Sequence, residues 1–227
     1  MDDGDPRRVL RGATYRGDGA AVVEALGRLE SSACLQLGGD GLVLALDQQV
    51  VGSEDLADRW IARLRDRDGE GDAELADQIA ARLGAPSPML RPLPVELDAL
   101  ADVLEGDPTS PGGRIDLATG DVWPIFADFL TDMADDEDEE REWLEVPCYG
   151  SRPAYRDMEA FIATIDREVR REALETAIQG RGAFRRFKDS LAEDERTRWH
   201  GFSEERRRGR ARAWLADQGF SVGPRRV

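Results

Sequence analysis

Arg114-Ile115-Asp116-Leu117-Ala118-Thr119-Gly120-Asp121-Val122-Trp123-Pro124-Ile125 decides the fold class, because it reads as a β-hairpin in a chain whose periodic segments are mostly helical. Its turn falls at 118–121, where Gly120 supplies the positive φ such turns demand. A third strand is expected over 143–146, with Pro147 stopping it or marking a sheet edge. Upstream, 95–104 has helical spacing. Downstream, helices are expected over 154–165, 167–178, 182–191 and 194–218, burying Phe161, Ile162, Ile165, Leu174 and Ile178. Gly180 suits the end of the second of these helices.

The first half has its own pattern. Residues 20–29 carry apolar positions at helical spacing, and 54–66 and 72–83 open with acidic residues that suit a helix N-terminus. Between them, 34–37 and 42–46 are short apolar runs around Gly38-Gly39-Asp40-Gly41, which reads as a hairpin. That glycine run lacks the following Lys and Ser/Thr of a phosphate-binding P-loop and the spacing of a dinucleotide fingerprint. The expected class is α+β, predominantly helical, with a small antiparallel hairpin or sheet in each half.

Only Tyr15 and Trp60 of the aromatic residues precede position 90, so two cores are expected. The segment 84–94 carries four prolines, which remove backbone donors and hold preceding residues extended. The expected division is an α+β domain over 1–84, a Pro-rich linker over 85–94, a helical domain with a hairpin over 95–220 and a tail over 221–227.

Lys+Arg number 31 against 47 Asp+Glu, a net charge of -16, so the molecule as a whole repels nucleic acid and binding to it requires a segregated basic face. Residues 180–227 carry 13 basic and 7 acidic residues, which makes them the candidate for that face. Cys34 and Cys148 form no CxxC pair, so neither a zinc site nor a disulfide framework is indicated, and a reducing cytoplasm is expected. No apolar run reaches the roughly 20 residues needed to span a bilayer, and membrane attachment is not expected.

The sequence nominates no catalytic residue, and enzyme activity is not favoured. His200, the only imidazole, has no serine or cysteine elbow near it and reads as a packed helix residue. No cofactor or metal is expected. The densest acidic stretch, 128–145, has ten carboxylates, but counted from Asp136 an EF-hand would need glycine at Arg141 and glutamate at Pro147. Asp132, Asp135, Asp136, Glu137, Asp138, Glu139 and Glu140 therefore read as a solvated acidic loop available to a basic partner surface.

Its counterpart is Arg181, Arg185, Arg186, Lys188, Arg206, Arg207 and Arg208. Arginine-rich helices with interleaved aromatics bind phosphates and stack bases, and the turn Gly180-Arg181-Gly182 could hold an anion on the free N–H groups of the following helix. The bland alternative is packing: Phe184, Phe187, Trp199, Phe202 and Trp214 have core-facing spacing. A protein-interaction or regulatory module is the leading expectation, with nucleic-acid or phosphate binding through the arginine-rich helices as the alternative.

Three motifs, Ile115-Asp116-Leu117-Ala118-Thr119-Gly120-Asp121-Val122, Tyr155-Arg156-Asp157-Met158-Glu159-Ala160-Phe161-Ile162 and Gly180 to Asp189 followed by Trp199-His200-Gly201-Phe202 and Ala213-Trp214-Leu215, resemble uncharacterised protein family 0158 over roughly 93–220. The resemblance implies a bacterial protein and transfers no activity, cofactor or partner. The first 90 residues or so lie outside it.

Overall fold

The computed structural model describes residues 6–29, 34–107, 109, 112–125 and 141–224. Among them the order is α1 (Pro6–Tyr15), α2 (Gly19–Arg28), α3 (Leu35–Asp47), α4 (Ser53–Arg67), α5 (Asp72–Arg82), β1 (Arg91–Leu93), α6 (Leu97–Leu104), β2 (Gly113–Asp116), β3 (Val122–Pro124), β4 (Trp143–Val146), α7 (Arg152–Ala163), α8 (Glu168–Ala177), α9 (Ala183–Ser190), α10 (Glu193–Asp217) and β5 (Phe220–Val222). The class is α+β, mostly helical. The chain divides into two compact units, Met1–Asp98 with Arg207–Val227, and Ala99–Arg206, so that the divisions fall within α6 and within α10.

In the first unit, α1 to α5 bury Leu10, Val22, Leu35, Leu42, Trp60, Leu64, Leu75 and Ile79. The hairpin expected over 34–46 is not there: these residues form the single helix α3. Glycine normally costs about 1 kcal/mol against alanine in a helix interior, and three glycines in four positions therefore argued for a turn. Packing overrides that cost. A Cβ on Gly38 would stand 2.3 Å from Trp60 Cζ2, one on Gly39 2.5 Å from Leu75 Cδ2, and one on Gly41 2.9 Å from Val22 Cγ1. The neighbouring side chains rest directly on the backbone of α3, and Trp60 also donates its indole N–H to Leu35 O at 2.9 Å.

The proline-rich segment carries β1, which pairs in parallel with β5 in the register Arg91↔Phe220, Pro92↔Ser221 and Leu93↔Val222. The segment expected as a linker and the start of the expected tail thus meet inside the first unit. The last turns of α10 lie against the start of α5: a Cβ on Gly71 would stand 2.2 Å from Gly209 O, and one on Gly209 2.1 Å from Glu70 O.

In the second unit the expected hairpin and third strand form a sheet of order β3-β2-β4, antiparallel throughout. Asp116 builds the turn by accepting from Ala118 N at 2.7 Å, and Gly120 takes φ 81°. Helices α7, α8, α9 and the first half of α10 enclose Phe161, Ile162, Leu174, Ile178, Phe187 and Trp199. Phe161, Phe187 and Trp199 meet edge to face, with Phe187 and Trp199 centroids 4.8 Å apart, a geometry that aligns positive ring edges with negative faces.

Candidate interaction sites

A chain of polar side chains runs through the interior of the first unit. Arg208 and Arg212 are four residues apart on α10 and only 5% and 3% exposed. Arg208 donates from Nη2 to Asp40 at 2.6 Å and from Nη1 to Asp98 at 2.7 Å. Arg212 donates to the other Asp40 oxygen, to Gln36 Oε1 at 2.9 Å and to Gln78 Oε1 at 3.1 Å. Gln36 passes the chain on to Asp72 at 2.8 Å, which Arg67 grips at 2.7 and 2.5 Å.

Burial pushes the Asp40 carboxyl up, but Arg212 and Arg208 beside it win and hold it below the usual carboxylate range. Burial likewise pulls Arg208 down, and Asp40 and Asp98 outweigh it. One donor is left over: Arg208 Nε is buried without a hydrogen-bond partner.

That residue lines a cleft of about 370 Å³ in the first unit. Tyr15, Leu37, Val43, Leu44, Val95 and Leu97 supply its apolar walls. Arg11, Asp40, Asp47, Glu96 and Asp98 also line it, and Asp47 accepts from Arg82 at 3.2 Å.

The second unit separates the predicted cations into two kinds. Arg186 is structural, because its guanidinium donates to Ala177 O at 3.1 Å, to Arg181 O at 2.5 Å and to Gln179 O, carbonyls at the end of α8 and in the following turn. Arg206 donates to the buried Asp157 at 2.5 Å. Arg181, Arg185 and Lys188 are exposed, as Arg186 is. Lys188 Nζ lies 4.4 Å from the Phe184 ring centre, and Phe184 is 42% exposed. Arg185 stands 3.7 Å from Asp189. Gly182 opens α9 at φ 80° with no side-chain cap.

The seven cations therefore do not make one surface. Arg208 is buried in the ion-pair chain of the first unit, and Arg207 is half-buried. Phe187, Trp199 and Trp214 are buried as their spacing indicated, whereas Phe184 faces outward. His200 is exposed beside the buried Trp199 and is not the packed residue its neighbours implied. The acidic residues Asp132, Asp135, Asp136, Glu137, Asp138, Glu139 and Glu140 lie outside the described residues. Among the described residues no group of three or more His, Cys, Asp or Glu could hold a metal ion, and no helix is long and apolar enough to cross a membrane.

Sequence reasoning missed Asp40, Asp98, Gln36, Gln78 and Asp72. A signal was present in the i, i+4 spacing of Arg208 and Arg212, which places both on one side of a helix.

Tyr155 to Ile162 and the α9 motif supply Asp157, Phe161 and Phe187 to the packing of the second unit. Residues 127–226 match the uncharacterised protein family UPF0158. The UPF0158 segment begins after the hairpin and includes β5, Arg208 and Arg212, so it contributes residues to both units. Neither a curated protein nor a solved structure matches the chain.

Proposed function

We propose that the protein is a non-enzymatic cytoplasmic interaction module that docks an acidic segment of a protein partner on the outward face of α9. The observation that carries this reading is a solvent-facing Phe184 with Lys188 Nζ 4.4 Å from its ring centre and the exposed Arg181 and Arg185 near it in the chain. An aromatic ring amid cations offers apolar contact and charge complementarity in one place. The uncapped start of α9 adds N–H donors suited to a carboxylate.

The buried carboxylates support a non-catalytic reading. Asp40, Asp72, Asp157 and Glu195 are each paired with arginine, and Asp40 and Glu195 are held ionised well below neutral pH. A general acid or base at neutral pH needs the opposite tuning.

Phosphate binding is the second reading, favoured by the same Phe184, which could stack a base beside Arg185. Arg208, committed to carboxylates, adds nothing to it. Titration of the labelled protein with a poly-glutamate peptide and with a single-stranded oligonucleotide separates the two. The proposal expects α9 amide shifts with the peptide; shifts with the oligonucleotide alone would replace it by the phosphate reading.

A further inference from the structure

We propose that a cleft between the end of α9 and the first turns of α10 seats a phosphoryl group carried by the partner's acidic segment, a phosphoserine among acidic residues, and holds it with Lys188, Arg196 and His200. The inference rests on the docking of that segment on α9 and names what the segment carries. Arg196 and His200 lie on α10, so the cleft and the α9 face can fail separately.

Three observations combine. The first is a concavity with cations that solvent reaches. A cleft of about 220 Å³ in the second unit is lined by Lys188, Asp189, Arg196, Trp199 and His200. Lys188, Arg196 and His200 are all exposed. Arg196 and His200 are four residues apart and share one side of α10, and only Leu191 and Ala192 join the two helices, which keeps the end of α9 beside them. Trp199 is 2% exposed and packs on Phe187 with ring centres 4.8 Å apart, so this wall is fixed by the core of the unit.

The second is charge that is not already spent. Asp189 is the one carboxylate of the lining, and Arg185 stands 3.7 Å from it. Lys188 rests its Nζ 4.4 Å from the Phe184 ring centre, a weak attraction at an exposed site. Arg196 donates to Leu191 O at 3.3 Å and stands 3.8 Å from Glu193, whose side chain is 89% exposed; such surface pairs contribute little. His200 accepts from Ser203 Oγ through its main-chain carbonyl, and among the described residues its imidazole has no partner. With Asp189 matched by Arg185, the cleft presents the charges of Lys188 and Arg196 unmet. A phosphoryl group, at roughly -1.5 to -2 near neutrality, answers both where a carboxylate answers one.

The third is size and the arrangement of donors. About 220 Å³ lies below the roughly 300–1,000 Å³ of pockets that enclose whole small ligands, so the cleft takes one head group and leaves the rest of its carrier outside. A guanidinium, an ammonium and an imidazole reach the cleft from two helices. Donors of three kinds suit the three acceptor oxygens of a phosphoryl group, whereas a planar carboxylate is satisfied by one guanidinium fork. Lys188 borders both the cleft and the Phe184 ring, so a chain carrying the group continues across the outward face of α9.

The test uses the full-length, isotope-labelled protein and a blocked pentapeptide with phosphoserine at the centre of four glutamates. The comparison ligands are the same peptide with glutamate at its centre, inorganic phosphate and adenosine monophosphate. Shifts of Arg196 Nε–H and of the His200 ring read the cleft, and the Phe184 and Arg185 amides read the α9 face. The proposal expects saturable cleft shifts with the phosphopeptide and binding at least about tenfold weaker for each comparison ligand. Arg196→Ala should weaken the phosphopeptide by at least about tenfold and the glutamate peptide by no more than about twofold, and His200→Ala should weaken the phosphopeptide by at least about threefold. Equal affinity for the two peptides overturns the proposal, as does absence of cleft shifts or unchanged phosphopeptide binding in both variants. Phosphate or the nucleotide binding as tightly as the phosphopeptide also overturns it, making the cleft a free-anion or nucleotide site. If the glutamate peptide leaves the Phe184 and Arg185 amides unmoved while the phosphopeptide still shifts Arg196 and His200, the α9 docking fails and the cleft stands.

Discussion

Arg212 and Asp40 stand 172 positions apart in the sequence and share a hydrogen-bonded ion pair inside the first unit. The second oxygen of the same carboxylate takes Arg208. Removing Asp40 leaves two buried guanidinium groups short of a counter-charge. Asp40→Ala is expected to cost about 3–5 kcal/mol, as for other buried pairs that lose one member, measured by urea unfolding. Replacing both partners, as Asp40→Leu with Arg212→Met, should cost less than the sum of the single changes, because only Arg208, still paired with Asp98, is then short of a counter-charge.

The glycines of α3 give a prediction of sign. By helix propensity alone Gly38→Ala would stabilise by about 1 kcal/mol. The 2.3 Å approach of a new Cβ to Trp60 reverses this, and a loss of about 1–3 kcal/mol is expected from overpacking. Gly27→Ala is the control, since a Cβ there meets nothing within 4 Å; its stability should be unchanged or raised. Thermal unfolding of both variants checks the pair.

Glu195 predicts a pH dependence. Its hydrogen bonds from Arg170 lower the carboxyl from 4.5 to about 2 against the opposing effect of burial, with Ala192 N adding a further donor. A folded-state pKa below the unfolded one stabilises above the unfolded value, so this contribution is complete above 4.5 and is lost as pH falls toward about 2. Its size is at most about 3 kcal/mol. Glu195→Gln should flatten the stability curve across that window and leave its slope near neutrality unchanged, read by urea midpoints at stepped pH.

Arg186 and Arg185 are neighbours with different work. Arg186 holds three carbonyls at and after the end of α8, while Arg185 stands 3.7 Å from Asp189 at the surface. Arg186→Ala is expected to lower the melting temperature by about 2–4 °C. Arg185→Ala should leave it in place, as exposed pairs contribute little.

Much of the second unit was legible in the sequence because its signals were local. The Gly120 turn, the strand before Pro147 and the apolar spacing from Phe161 to Trp199 each depend on residues close in the chain. The first unit was not, since its reasons are distant. Gly38-Gly39-Asp40-Gly41 reads as a turn until Trp60, Leu75 and the arginines of α10 are placed against it. Ser221 and Val222 read as the start of a tail until Pro92 and Leu93 lie beside them. Charge counting likewise located the cations but not their partners: Arg208 belongs to the interior, half-exposed Arg206 reaches the buried Asp157, and Arg186 is spent on three carbonyls, while Arg181, Arg185 and Lys188 are exposed.

The most direct test of the interaction-module account is recovery of partners on the tagged full-length protein from a lysate of its own cells, with nuclease present, compared with the triple variant Arg181→Glu, Arg185→Glu, Lys188→Glu. The account predicts an acidic protein partner that survives nuclease and is lost on the triple variant. A partner set that vanishes with nuclease, or one that the triple variant retains in full, would contradict it.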